Sequence, residues 1–164
     1  MNIAIDVMGG DYAPEAVIDG IIESIDLLTN GETILAIGPQ DTINNLFKSR
    51  NFSSSQVRII HAEQVIEMGE HPTKALSQKP NSSIGIGFSL LKEGKADVFA
   101  SAGNTGAMMV GSLFSVKTIN GIQRPAIAGF VPQVDGHYAI MLDIGANADC
   151  KPEMLAQWAE LGSI

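Results

Sequence analysis

Short apolar, β-branched runs alternate along this chain with longer segments whose apolar residues recur every three or four positions. Asn2–Val7 (NIAIDV) is the first such run, and Met8-Gly9-Gly10-Asp11 follows at once. That predicts a strand and then a turn. Pro14 suits the first turn of a helix running to about Thr29. Its apolar residues Val17, Ile18, Ile21, Ile22, Ile25 and Leu28 form one stripe, and Glu15, Asp19, Glu23 and Asp26 fall on the other side.

The pattern then repeats. Thr33–Ile37 reads as a second strand ended by Gly38-Pro39, with a helix from about Gln40 to Ser49. Val57–Ile60 reads as a third strand behind a serine-rich loop. Between 64 and 80, the breakers Gly69, Pro72 and Pro80 leave room for one short helix near Thr73–Ser77. Asn81 or Ser82 can cap a helix to Glu93, with Gly94 at its C′ position. Asp97–Ala100 predicts a strand and Thr105–Val116 a helix. Ala126–Val131 and His137–Ile144, joined by Gln133-Val134-Asp135-Gly136, read as a β-hairpin. Pro152 starts a last helix toward Leu161. Strand–helix alternation of this kind predicts an α/β fold: a mostly parallel sheet with helices on both faces, a three-layer α/β/α sandwich, plus the hairpin.

Composition narrows the function. A chain of 164 residues with 45% hydrophobic positions can bury a sizeable core and is one domain by length. The net charge is −8 and unevenly spread: residues 1–47 hold eight acids and no base, and the remainder balances. A global basic field for nucleic acid is therefore excluded, and an anion must be caught by a local arrangement. The single cysteine, Cys150, excludes an internal disulfide or a CxxC metal site and suits a reducing cytoplasm. His61, His71 and His137 have no metal-ligand spacing. The first residues lack the basic and apolar regions of a signal peptide, and no apolar run is long enough for a transmembrane helix.

Two segments offer anion chemistry. Ser101-Ala102-Gly103-Asn104-Thr105-Gly106-Ala107 lies between a predicted strand and a predicted helix. Ligands of open α/β sheets bind at the carboxyl ends of strands. There the glycines permit close approach, the helix N-terminus offers unpaired N–H groups, and Asn104 and Thr105 add side-chain donors. The string is neither a Walker A loop nor GxGxxG. An anion site and a turn that merely packs strand on helix both fit it. Lys79-Pro80-Asn81-Ser82-Ser83 places a lysine and two hydroxyls at another helix start, which fits phosphate or ordinary capping. Asp6 and Asp11, and likewise Asp143 and Asn147, lie near strand ends, where they can orient a ligand or bond the turns that carry them.

These strings also carry a resemblance. Asp6–Pro14 (DVMGGDYAP) resembles the opening signature of the bacterial acyl-[acyl-carrier-protein]:phosphate acyltransferases, the fatty acid/phospholipid synthesis protein family. Ser101–Ala107 is similar to its central motif, and Lys79 with Ser82 and Ser83 to its K-x-x-S-S element. Arg124–Ile127 (RPAI), Asp143–Asn147 (DIGAN) and Asp149–Glu153 (DCKPE) are similar to later motifs, in family order. Glu70 and His71 stand where relatives often have an acid before the proline.

The resemblance implies a Rossmann-like sheet of the isopropylmalate-dehydrogenase and phosphate-acetyltransferase kind. It implies that residues 1–164 are the N-terminal portion of a single acyltransferase domain whose C-terminal half is absent. The expected reaction moves a fatty acyl group from acyl carrier protein to inorganic phosphate, giving acyl phosphate for phosphatidic acid synthesis. No metal or cofactor is expected. Lys79, Asn104 and Thr105 take the catalytic roles. Ser82, Ser83, Gly103, Gly106, Asp6, Asp11, Asp143 and Asn147 take phosphate or substrate. The implied partners are acyl carrier protein, phosphate and a second copy in a homodimer, without nucleic acid. The implied setting is the cytoplasm, with membrane contact through the absent half. An acyl-CoA-dependent phosphate acetyl- or butyryltransferase is the nearest alternative. A nucleotide-binding half-domain of an oxidoreductase and a non-catalytic scaffold are the others.

Overall fold

A computed structural model describes residues 1–147 and 149–164. The backbone forms two compact units, Met1–Val116 and Lys117–Ile164.

The first unit is built from β1 (Asn2–Asp6), α1 (Glu15–Ser24), β2 (Thr33–Gly38), α2 (Gln40–Ser49), β3 (Val57–His61), α3 (Pro72–Gln78), α4 (Ser83–Lys92), β4 (Val98–Ala100) and α5 (Thr105–Ser115). The four strands are parallel in the order β3-β2-β1-β4, with Ile3 paired to Ile34 on one side and to Val98 on the other. Alternate positions of β2 face opposite ways. Ile34 and Ala36 pack with Ile18 and Ile21 of α1 and Ile43 and Phe47 of α2. Leu35 and Ile37 pack with Ala4, Ala62 and Ala96, against Ile86 and Leu90 of α4. Burial on both faces explains why this strand reads as a continuous apolar run. The predicted three-layer α/β arrangement is therefore present.

One boundary differs. The first helix is expected to reach Thr29, but α1 ends at Ser24 and tightens into a 3-10 turn over Ile25–Leu27. Leu28 is extended, and Gly31 takes φ +91°. The Asn30-Gly31 turn needs that left-handed conformation, so the chain leaves the helix early.

The strand order has a functional consequence. From β1 the chain steps to β2 and β3, then returns to place β4 on the other side of β1. Neighbouring connections thus diverge at the carboxyl ends of β1 and β4, the switch point where open α/β sheets bind ligands.

The second unit holds the hairpin of β5 (Ala128–Pro132) and β6 (Tyr138–Leu142), antiparallel with Phe130 opposite Ile140, and α6 (Pro152–Gly162). Met154 and Trp158 of α6 are buried, and the Trp158 indole donates to the Arg124 carbonyl at 3.1 Å.

α4 and α5 meet through glycine. A Cβ on Gly111 would lie 2.2 Å from the Phe88 ring, and one on Gly87 would lie 2.3 Å from the Phe99 ring. The two rings stack edge to face at 5.2 Å. Gly111→Ala should therefore destabilise the chain. The helix-propensity gain of about 1 kcal/mol is outweighed by an overpacking cost of roughly 1–3 kcal/mol, because Phe88 is buried and cannot swing aside. A thermal midpoint at or above the parent's would contradict this packing.

Candidate functional site

Asp6 closes the end of β1. Its carboxylate is buried and both oxygens are engaged: Oδ1 accepts the Met8 N–H at 3.0 Å, and Oδ2 accepts the Ser101 hydroxyl at 2.7 Å. Ser101 Oγ in turn accepts the Gly103 N–H at 3.0 Å. Gly9 fits between them. A Cβ there would sit 2.7 Å from Asp6 Oδ2, Gly103 N and Ser101 Oγ alike. One carboxylate thus fastens the loop after β1 to the loop after β4. Asp11 lies beyond this contact and is exposed.

Asn104 then starts α5. Its Oδ1 accepts the Ala107 N–H at 2.9 Å, the bond of an N-cap. Its Nδ2 donates to the carbonyls of Glu67, Met68 and Glu70 at 3.0, 3.2 and 3.1 Å. Thr105 is exposed at the first helical position. Among the described residues, no hydrogen-bond partner occurs for the N–H groups of Thr105 and Gly106 or for the Thr105 hydroxyl. These are first-turn donors at the positive end of an 11-residue helix.

The segment 64–70 runs beside this helix start. Lys79, which closes α3, donates from Nζ to the Val65 carbonyl at 2.8 Å and to Glu70 Oε1. Glu70 Oε1 also accepts the Glu67 N–H at 2.8 Å. The Lys79 ammonium first, and then that N–H, holds the Glu70 carboxyl below the usual carboxylate range. Ser82 is the N-cap of α4, accepting from Gly85 N at 3.1 Å. Ser83 N–H bonds the Gln64 carbonyl at 3.1 Å. Both serines are buried, and Ser83 Oγ and Gln64 Oε1 have no partner among the described residues.

The family follows from comparison with known proteins. A model described as fatty acid synthesis protein matches residues 1–164. The chain belongs to this family. It is 45% identical over 164 residues to the phosphate acyltransferase of Salinibacter ruber, covering 99% of this chain and 48% of that protein. It is 43% identical to the phosphate acyltransferase of Bacillus subtilis, covering 100% and 48%. The chain spans about half the length of the curated relatives it matches. Among solved structures, a phosphotransacetylase from Streptococcus pyogenes superposes with TM-score 0.66 at 18% identity, over 100% of this chain and 55% of that one. The EutD phosphotransacetylase from Staphylococcus aureus gives 0.61 at 19% identity, over 96% and 50%. That likeness is one of fold.

Within this fatty acid synthesis family member, the switch point gathers Asp6, Gly103, Asn104, Thr105 and Gly106, and the 64–70 segment links them to Lys79. Asp143 and Asn147 lie in the second unit, where they hold each other. Asp143 Oδ1 accepts from Asn147 Nδ2 at 2.9 Å and Oδ2 accepts from Asn147 N at 3.0 Å. The glycines are explained largely by packing. A Cβ on Gly106 would lie 2.3 Å from Pro72 Cγ, and one on Gly103 would lie 3.1 Å from Ser101 Oγ. Sequence reasoning left Glu70, Ser101 and Gly9 out of the site. The available signal for Glu70 was an acid nine positions before Lys79. Among the described residues, no group of three or more His, Cys, Asp or Glu could hold a metal ion, and no helix is long and apolar enough to cross a membrane.

Two outcomes follow from this frame. Asn104→Ala removes the cap and the three carbonyl contacts together and should cost about 2–4 kcal/mol of stability. Asn104→Asp keeps the cap but turns an acceptor toward three carbonyls, so it too should unfold at lower denaturant. Parent-like unfolding of both would refute the assigned contacts. The second outcome concerns pH. Glu70 is depressed from 4.5, so its pairing stabilises the fold above that ordinary value. The contribution fades as pH falls through the lower folded value. The stability gap between the parent and Glu70→Gln should therefore narrow on acidification below about pH 4. A gap constant across that range in pH-dependent thermal unfolding would exclude the pair.

Proposed function

We propose that this chain supplies the N-terminal portion of a single α/β acyltransferase domain, and that the whole enzyme transfers a fatty acyl group from acyl-[acyl-carrier-protein] to inorganic phosphate. The product, acyl phosphate, serves phosphatidic acid synthesis. One observation carries this reading: uncommitted donors of Thr105 and Gly106 stand at the start of α5, at the switch point, in a chain whose relatives are named phosphate acyltransferase. The acidic carrier protein as donor, a homodimer, the cytoplasm and membrane contact through the remaining length belong to the same proposal, on the family resemblance.

The chemistry asks little beyond placement. A phosphate oxygen forms a bond to the thioester carbonyl carbon, the C–S bond breaks, and its electron pair leaves with the pantetheine thiolate. Phosphate is already an anionic nucleophile, and both thioester and acyl phosphate are activated. The enzyme's work is to position the anion and to stabilise the carbonyl oxygen as it becomes an oxyanion. Thr105, through hydroxyl and N–H, and Gly106, through its N–H, are the proposed donors to phosphate or to that oxyanion. Lys79 supplies the positive charge. Asn104 acts by setting the helix start rather than by touching phosphate, since its amide is engaged on both sides. Asp6 and Gly103 fix the loop, and buried Ser82 and Ser83 hold the start of α4 beside Lys79.

In the full-length enzyme, Thr105→Ala and Lys79→Ala should each raise the phosphate KM or lower kcat by about tenfold, the loss of one good hydrogen bond at the transition state. The assay is acyl phosphate formation from acyl-acyl-carrier-protein and phosphate, with acyl-CoA as a rival donor. Unchanged kinetics in both variants would overturn the site, and preference for acyl-CoA would overturn the donor.

A further inference from the structure

The ammonium that the proposed reaction assigns to phosphate already holds a carboxylate. Lys79 Nζ donates to Glu70 Oε1 and to the Val65 carbonyl, so one of its three N–H donors remains uncommitted. Its charge is offset by Glu70. The two side chains are 29% and 30% exposed, so solutes reach the pair. The segment itself is anchored independently of the carboxylate, because Asn104 Nδ2 holds the backbone carbonyls of Glu67, Met68 and Glu70. Glu70's carboxylate can therefore leave Lys79 without releasing the backbone. A partly exposed pair of this kind is weak, so separating it costs little.

We propose that Glu70 is a specificity-determining residue: its carboxylate occupies Lys79 until phosphate displaces it. This rests on Lys79 as a phosphate ligand. A monovalent anion of one or two oxygens gains no more from Lys79 than Glu70 already does, and Glu70 is tethered in place. Phosphate brings more charge and more oxygens, so it competes for Lys79 better than a carboxylate does. The pair therefore admits phosphate and rejects carboxylates and halides. The price is a raised phosphate KM, because phosphate must first displace Glu70 from Lys79.

Glu70→Gln tests this in the full-length enzyme. The amide oxygen can still accept from Glu67 N–H and Lys79, while the charge is gone. The phosphate KM should fall about two- to fivefold, the worth of one partly exposed ion pair. Competitive inhibition by acetate against phosphate should strengthen by a similar factor. In a Lys79→Ala background the same substitution should no longer lower KM. If Glu70→Gln has a much lower thermal midpoint, Glu70→Asp, whose shorter arm reaches Lys79 less well, should move KM and acetate inhibition in the same direction. An unchanged or raised KM, unchanged acetate inhibition, or an equal fall in KM without Lys79 overturns the proposal. If the parent turns over phosphate and Lys79→Ala impairs it while Glu70→Gln does nothing, only the role of Glu70 falls. If the parent shows no phosphate-dependent turnover, the proposed function falls with it.

Discussion

The side-chain amide of Asn104 has one acceptor and one donor end, and both are used. Its oxygen takes the Ala107 N–H and its nitrogen faces the carbonyls of Glu67, Met68 and Glu70. Reversing the amide would break four contacts at once, so the orientation is fixed by what surrounds it. Consequences spread from there. The first turn of α5 is set, which puts Gly106 directly against Pro72 at the start of α3. The 67–70 backbone is set, which puts the Glu70 carboxylate within reach of Lys79 at the far end of α3. A buried polar network of this kind is stable only when it is closed, and this one is closed around a single side chain.

Asp6 does for the strands what Asn104 does for the helices. Parallel strands end in loops with no partner of their own, and the loops after β1 and β4 meet here because the topology reverses between them. Burying a carboxylate is costly unless donors surround it. The Met8 N–H and Ser101 hydroxyl supply them, and Gly9 makes the room. Glu15, Asp19 and Glu23 are exposed on α1 and Asp26 on the 3-10 turn that follows it, and Asp19 pairs with Arg50, whose guanidinium holds that carboxyl below the usual range. An acidic chain can therefore still present uncompensated backbone donors at one helix start.

The fold was legible because its punctuation is local. Gly38-Pro39, Pro72, Gly94 and Asp135-Gly136 each end or begin an element by their own backbone preference, and the elements they bound are where the pattern puts them. The end of α1 was not legible, because helix and 3-10 turn share the same apolar spacing. The cap of α4 was ambiguous between Asn81 and Ser82, since both side chains suit it. Ser82 takes the role, and Asn81 gives its backbone carbonyl to Gln64 instead. The candidate site was legible as residue types and not as contacts. Asn104 and Lys79 stood out as polar residues at helix ends, but their partners lie 34 to 37 and 9 to 14 positions away. No local periodicity encodes pairings of that range.

That difference changes which atoms can meet an anion. The side chains that advertise themselves in the sequence, Asn104 with its amide and the two serines at the start of α4, are turned inward on backbone groups or buried. The donors at the switch point without a partner among the described residues are the N–H groups of Thr105 and Gly106, plus the Thr105 hydroxyl. Backbone donors are blind to side-chain substitution, so their aim depends wholly on the frame behind them. Asp6, Gly9, Ser101 and Asn104 form that frame, and each has a geometric reason for its identity that involves no ligand. The glycines follow the same logic: Gly106 has no side chain because Pro72 fills the space, and its N–H lacks a partner because it lies in the first turn of α5.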